Sequence, residues 1–241
     1  MDNLQFQAAV VDKVHGWLRR VTSIRTMEIL RYQEDTQITG SIMEIGVLCG
    51  KYFSVLARSA QATNCRLLGI DTFQWNPESR VRETLAMSSE TNSVDVCLLQ
   101  ALSSECSPSE LLGLLGDRAR FISIDGSHEC DDVYLDLVLC EQILSTKGII
   151  AIDDFLNPVA LGVNEAVHKF FAFPRLVVPV AYISNKLFVA HRSVATKYMQ
   201  QIEQSIVADQ AEPESEKFRV ALSHGRHKVE QSLWGNKLLI G

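Results

Sequence analysis

Short β-branched runs alternate with amphipathic stretches along most of the chain, the pattern of βαβ units around a mainly parallel sheet. Strands are expected at residues 41–46, 66–71, 94–100, 120–125, 148–153, 176–182 and 186–190. Seven strands fit one sheet. The last two are separated by only Ile183, Ser184 and Asn185. That is too short for a crossover, so they are expected to pair as an antiparallel hairpin.

Helix starts are marked by local chemistry. Ser107-Pro108-Ser109-Glu110 combines a capping serine, a proline at the first helical position and a glutamate that can reach back, and Asn76-Pro77 and Asn157-Pro158 repeat the cap-then-proline signal. Between Ser127 and Lys147 the apolar positions Val133, Leu137, Cys140 and Leu144 fall at helical spacing, so one stripe of that helix should pack on the sheet. The ends differ from the middle. Residues 1–40 form an expected helical addition, residues 41–192 the sheet domain, and residues 193–241 a helical extension with stretches around 195–209 and 214–232. These ends suit a lid or a homodimer surface, or they simply cover faces of the sheet.

At 241 residues, with 46% hydrophobic and 22% charged positions, the chain is long and apolar enough for one α/β domain with its own core. The formal charge of −6, with 23 scattered basic residues, disfavours a nucleic-acid partner. The start, Met1-Asp2-Asn3-Leu4-Gln5, does not read as a secretory signal, and no run approaches a membrane span. A cytoplasmic protein without membrane partners is expected. Six cysteines in no paired spacing read as reduced, mostly buried small hydrophobes.

Candidate chemistry clusters at the ends of the expected strands. In Met43-Glu44-Ile45-Gly46-Val47-Leu48-Cys49-Gly50-Lys51 a strand closes on an acidic residue, and glycines four apart open the next helix. Backbone amides in such a turn can approach a ligand at a helix N-terminus. A phosphate-binding P-loop is a poor match, because Tyr52 stands where a metal-binding hydroxyl would be needed. A dinucleotide loop lacks its middle glycine, and a plain tight turn is the bland alternative. Asp71, at the end of Leu67-Leu68-Gly69-Ile70-Asp71, can accept the hydroxyls of a ribose or cap the turn at Thr72. Phe73 and Trp75 could stack on a base or pack the loop.

Two further runs end in carboxylates: Phe121-Ile122-Ser123-Ile124-Asp125 and Gly148-Ile149-Ile150-Ala151-Ile152-Asp153-Asp154. Adjacent parallel strands would gather all three. Ionised carboxylates so placed repel one another unless a cation neutralises them, and a hard, oxygen-seeking ion such as Mg²⁺ answers that need. His128 follows Asp125 by three residues at a helix start. It is a candidate general base there, or a side chain that holds the loop through a hydrogen bond.

Taken together, Glu44-Ile45-Gly46 with Gly50-Lys51, Gly69-Ile70-Asp71-Thr72, Ile124-Asp125-Gly126-Ser127-His128, and Ile152-Asp153-Asp154-Phe155 followed by Gly162-Val163 resemble the class I methyltransferases that use S-adenosylmethionine (SAM). The resemblance is to their metal-dependent branch, similar to the macrocin and mycinamicin sugar O-methyltransferases and their cephalosporin-biosynthesis relatives. It runs from about Ile42 to Phe171. It implies an α/β, Rossmann-like fold whose seven-stranded, mostly parallel sheet holds one antiparallel strand and is flanked by helices. It further implies that Glu44, Gly46 and the Gly50-Lys51 loop hold the methionine part of SAM, Asp71 its ribose, and Leu102 and Ser103 the adenine, with Thr72 and Phe73 after Asp71 among the cofactor-binding residues. Asp125, Asp153 and Asp154 match the metal positions, and His128 matches the proposed base. The loop after Asp71 lacks the Gly-Asp and His-Gly elements of many relatives, and the tail beyond Arg192 lies outside the match.

The expected activity is therefore Mg²⁺-dependent O-methylation of a small hydroxylated acceptor such as a vicinal diol, a sugar or another natural-product metabolite. Two other readings fit parts of the pattern. A SAM-binding regulatory or scaffold subunit would keep the glycine loop without transfer, and a metal-dependent hydrolase would keep the carboxylates without the loop.

Overall fold

In the computed structural model, which describes residues 1–241, nine strands form one sheet. They are β1 (Ser41–Ile45), β2 (Leu67–Asp71), β3 (Val96–Gln100), β4 (Ala119–Ile124), β5 (Leu144–Ile152), β6 (Val177–Ile183), β7 (Lys186–His191), β8 (Glu230–Leu233) and β9 (Asn236–Ile240). The helices are α1 (Asn3–Ala9), α2 (Arg20–Asp35), α3 (Lys51–Thr63), α4 (Glu78–Leu85), α5 (Pro108–Leu115), α6 (Cys130–Ile143), α7 (Leu161–Phe171), α8 (Ala195–Ala208) and α9 (Pro213–Ser223). The strand order is β3-β2-β1-β4-β5-β7-β6-β9-β8, with β1 to β5 parallel and β7 antiparallel to both neighbours.

Strand residues alternate between the two faces. Phe121, Ile149 and Ala151 join a core with α1, α2, α3 and α8, whereas Ile122, Ile150 and Ile152 join one with α5, α6 and α7. The period of two is what a strand buried on both sides must show. Ser107 caps α5 as expected: its side chain accepts from the Glu110 amide, and Glu110 reaches back to the Ser107 amide.

Three expectations are corrected. The sheet has nine strands rather than seven, and two of them, β7 and β8, run against the rest. The extra pair comes from the tail. The second helical stretch expected within 193–241 stops at Ser223, and residues 230–240 fold back as a hairpin whose β9 pairs in parallel with β6. The turn places Trp234 and Gly235 at φ 49° and 72°, the left-handed values that match strand twist in a two-residue turn. Trp234 then stacks on Phe171 at 4.3 Å, so tertiary packing overrides the helical period. Finally, Asn157-Pro158 does not open a helix. Asn157 accepts from the Val159 amide in a local turn, and α7 begins at Leu161.

The terminal helices spend their apolar faces inside the chain. Phe6, Ile24, Ile29 and Leu30 pack with Tyr198, Ile202, Ile206 and Phe218 in the same core as β4 and β5. Arg25, buried on α2, pairs with Glu28 and Asp209 and donates to Ser215, which ties the N-terminal addition to the tail.

Candidate active site

The parallel strands end along one edge, and the loops that leave them meet there. Gly46 follows β1 at φ 84°, and a Cβ on it would lie 1.9 Å from the Asp125 carbonyl oxygen that follows β4. Only glycine permits so close an approach of two backbones. Gly162 does the same at the start of α7, where a Cβ would come within 2.2 Å of the His128 carbonyl oxygen. These two contacts bring the loops after β1, β4 and β5 together.

On the β1 side, the loop is held by backbone donors. Asp71 Oδ2 accepts from the amides of Val47 and Leu48, both at 2.8 Å, and its Oδ1 accepts from the Phe73 amide at 2.7 Å. Leu48 and Phe73 adopt left-handed φ values of 51° and 53°. Such strain persists where surrounding structure enforces it, commonly at ligand sites. Gly50 precedes α3 with no side-chain cap, so the first amides of that helix remain available to a ligand. Glu44 is buried and its Oε2 has no hydrogen-bond partner. Burial raises its carboxyl well above the usual range, against the pull of the Lys186 ammonium. The Lys51 ammonium is turned to the N-terminal segment, donating to the Gly16 carbonyl at 3.0 Å. Leu102 is exposed and Ser103 lies in a short 3-10 turn after β3. Beneath that turn Asp136 of α6 is buried with its Oδ1 unpartnered, and burial pushes its carboxyl up to about 6. Thr72 offers its carbonyl to Gln100.

On the β4 and β5 side, the site is built from side chains. Asp125, His128 and Asp154 each offer one donor atom, all within 4.8 Å of one another. His128 Nε2 lies 3.0 Å from Asp154 Oδ2, and Asp154 takes a left-handed φ of 55°. Asn157 and Asn185 donate to Asp154 Oδ1 at 2.7 and 3.4 Å. Asp153 is oriented differently: its Oδ1 accepts from Asn185 at 3.0 Å and faces the Lys186 ammonium at 3.2 Å. Loss of solvent, then the neighbouring Asp153 carboxylate, raises the Asp125 carboxyl well above its usual range. Two carboxylates and an imidazole at this spacing suit a divalent cation with oxygen and nitrogen preferences.

Sequence reasoning missed Asn185, Lys186, Tyr52 and Asp136. Burial opposes the Lys186 ammonium, but Asp153, Asp125, Tyr52 and Glu44 together hold it above the usual lysine range. One signal was available. A reversed strand begins at the edge where its parallel neighbours end, so the first residues after the expected hairpin turn had to reach the carboxylates.

Residues 43–155 match a family model described as a methyltransferase domain. No curated protein matches the sequence. Among solved structures, the fold is similar to CalS11, a TDP-rhamnose 3'-O-methyltransferase of calicheamicin biosynthesis, at 20% identity and a TM-score of 0.55, covering 72% of this chain and 81% of that one. It is similar to the O-methyltransferase NovP at 15% identity and a TM-score of 0.59, covering 70% and 80%. TomG from Streptomyces achromogenes, an O-methyltransferase of tomaymycin synthesis solved with SAM, gives 14% identity and a TM-score of 0.50 over 78% and 94%. The glycine loop, the sheet order and these comparisons agree. Residues 43–155 match the methyltransferase-domain model, and the sheet that carries them has the fold seen in these O-methyltransferases.

Proposed function

We propose that the protein transfers the methyl group of SAM to a hydroxyl of a small acceptor, assisted by a divalent cation such as Mg²⁺. The observation that carries this reading is the group Asp125, His128 and Asp154, which sits at the strand edge beside the glycine loop and is joined to it across the Gly46 contact. Glu44 and the amides between Gly46 and Gly50 would take the methionine end of SAM, Asp71 the ribose, and Leu102, Ser103 and Phe73 the adenine. Asp125 and Asp154, with Asp153 beside them, would hold the cation. When bound, it would withdraw charge from the acceptor oxygen and lower the hydroxyl pKa.

The residues of the chain supply position and a proton acceptor. Asp154 faces Nε2 of His128, which favours the tautomer with the proton on that nitrogen. The lone pair of Nδ1 is then free to take the hydroxyl proton, with Asp154 stabilising the imidazolium that results. Gly46 and Gly162 fix the separation of the donor loop from this base, so alignment of oxygen, carbon and sulfur is set by backbone contacts. Names of similar structures that mention sugar and natural-product methylation support a hydroxylated metabolite as acceptor.

The test pairs calorimetry with S-adenosylhomocysteine, with and without Mg²⁺, with a mass-shift assay on sugars, vicinal diols and catechols. Transfer should stop in EDTA, and Asp154→Ala should lower kcat on the order of 100-fold or more while product binding persists. Turnover that ignores EDTA would remove the cation from the mechanism. Binding without transfer to any acceptor would leave a SAM-binding regulator, and no binding at all would revive the hydrolase.

A further inference from the structure

Lys186 is the one cation among the site carboxylates. It is fully buried, its Nζ lies 3.2 Å from Asp153 Oδ1 and 4.4 Å above the Tyr52 ring, and it makes no well-aligned hydrogen bond. Three features place it there. The pairing Ile152↔Leu187 sets Lys186 across from Asp153, because β7 starts where β5 ends. The Tyr52 hydroxyl is tied to Thr26 Oγ1 at 2.7 Å, which fixes the ring beneath the ammonium. Asn185 holds the Asp153 carboxylate from the turn. A lysine is seldom fully buried, and one carried in this position sets the charge of everything around it.

We infer that Lys186 is a resident counter-ion of the carboxylate cluster, engaging Asp153 and weakening the affinity of the Asp125 and Asp154 carboxylates for a divalent cation. The inference rests on the cation reading above. A fixed positive charge beside the cluster repels an incoming dication, and the ammonium competes for the same Asp153 oxygen. The site thus keeps its carboxylates balanced while binding the ion loosely. A purely structural lysine makes the opposite forecast, since its loss would loosen the site and weaken metal binding.

The experiment is calorimetric titration of the EDTA-treated, dialysed full chain with Mn²⁺, for the wild type and Lys186→Met. Binding at least 10-fold tighter in Lys186→Met, with a larger rise in melting temperature on adding Mn²⁺, is expected. Equal or weaker Mn²⁺ binding by the folded variant would overturn the inference while leaving the cation reading intact. Absence of Mn²⁺ binding in both proteins would sink the cation reading and the inference with it. Lys186→Gln, which keeps a donor to Asp153 and removes only the charge, is measured in parallel and should also bind more tightly. If neither variant folds without metal, folding rescued by Mn²⁺ supports the inference, and failure to fold in Mn²⁺ counts against it.

Discussion

The two halves of the strand edge are built on different principles. On the β1–β3 side, Asp71 accepts from three backbone amides, so the ligand loop is shaped by main-chain hydrogen bonds and by Gly46 and Gly50 at positive φ. On the β4–β5–β7 side, no comparable backbone frame holds the carboxylates; Asn157, Asn185, His128 and Lys186 hold them by side chains. The Asp71 carboxylate and the loop amides satisfy one another in the first half, where only Glu44 keeps an unpartnered oxygen. The second half gathers repelling charges, a condition that costs stability and that substrate or cation binding can relieve. Binding geometry therefore sits in the backbone, and reactivity in side chains that can change partners.

That contrast can be broken in four places. The largest effect is expected at the joint between the halves: Gly46→Ala should destabilise the fold by at least about 3 kcal/mol in urea denaturation, because its Cβ meets the Asp125 carbonyl and the residue needs positive φ. A mild effect there would mean the loops can separate freely. Asp136 lies under the same joint, buried near Gly126 with its Oδ1 unpartnered. Its folded carboxyl titrates near 6 against 3.8 unfolded. The folded state therefore holds the proton more tightly, and stability present below pH 3.8 declines as pH rises through 6, by about 3 kcal/mol in all. Asp136→Asn should remove that decline, read as a stability difference between variant and wild type that grows from pH 4 to pH 7.5. A difference independent of pH would show that Asp136 is not held neutral.

The smaller effects set one half directly against the other. Asp71→Asn replaces two acceptor oxygens by one and turns an amide N–H₂ toward backbone donors. It should cost about 2 kcal/mol and weaken S-adenosylhomocysteine binding at least about tenfold. Asp125→Asn should do the reverse for stability, gaining about 1 kcal/mol in EDTA at pH 7.5 while turnover falls, since burial and Asp153 oppose its charge. If both variants moved stability in the same direction, the division of the edge into a satisfied half and a strained half would be wrong.

Much of this edge was legible in the sequence. Strands ending in Glu44, Asp71, Asp125 and Asp153-Asp154 carry β-branched runs of buried-strand length, and glycines mark the loop, so local pattern located each carboxylate. Pattern could not say which carboxylates face one another. It put Asp125, Asp153 and Asp154 in one cluster, whereas the side chains that converge within 4.8 Å are Asp125, His128 and Asp154, with Asp153 turned to Lys186. Three clustered carboxylates taken alone would need an added cation. The chain already holds one, brought by a reversed strand from 61 residues beyond Asp125.

What the sequence determined by itself is the set of strands β1 to β7, the reversal at the hairpin that joins the last two, the Ser107 cap and the positions of the strand-end acids. These are local or nearly local: they follow from periods of 2 and 3.6 and from residues whose side chains bond their own backbone. Only the tertiary structure decided the rest. The β8–β9 hairpin forms because β6 offers an unpaired edge and Phe171 a surface for Trp234, neither of which the tail's own pattern contains. Lys186 is a site residue because the register Ile152↔Leu187 sets it opposite Asp153. Pairing between distant segments depends on the surfaces that both present, and those surfaces exist only once the sheet has formed.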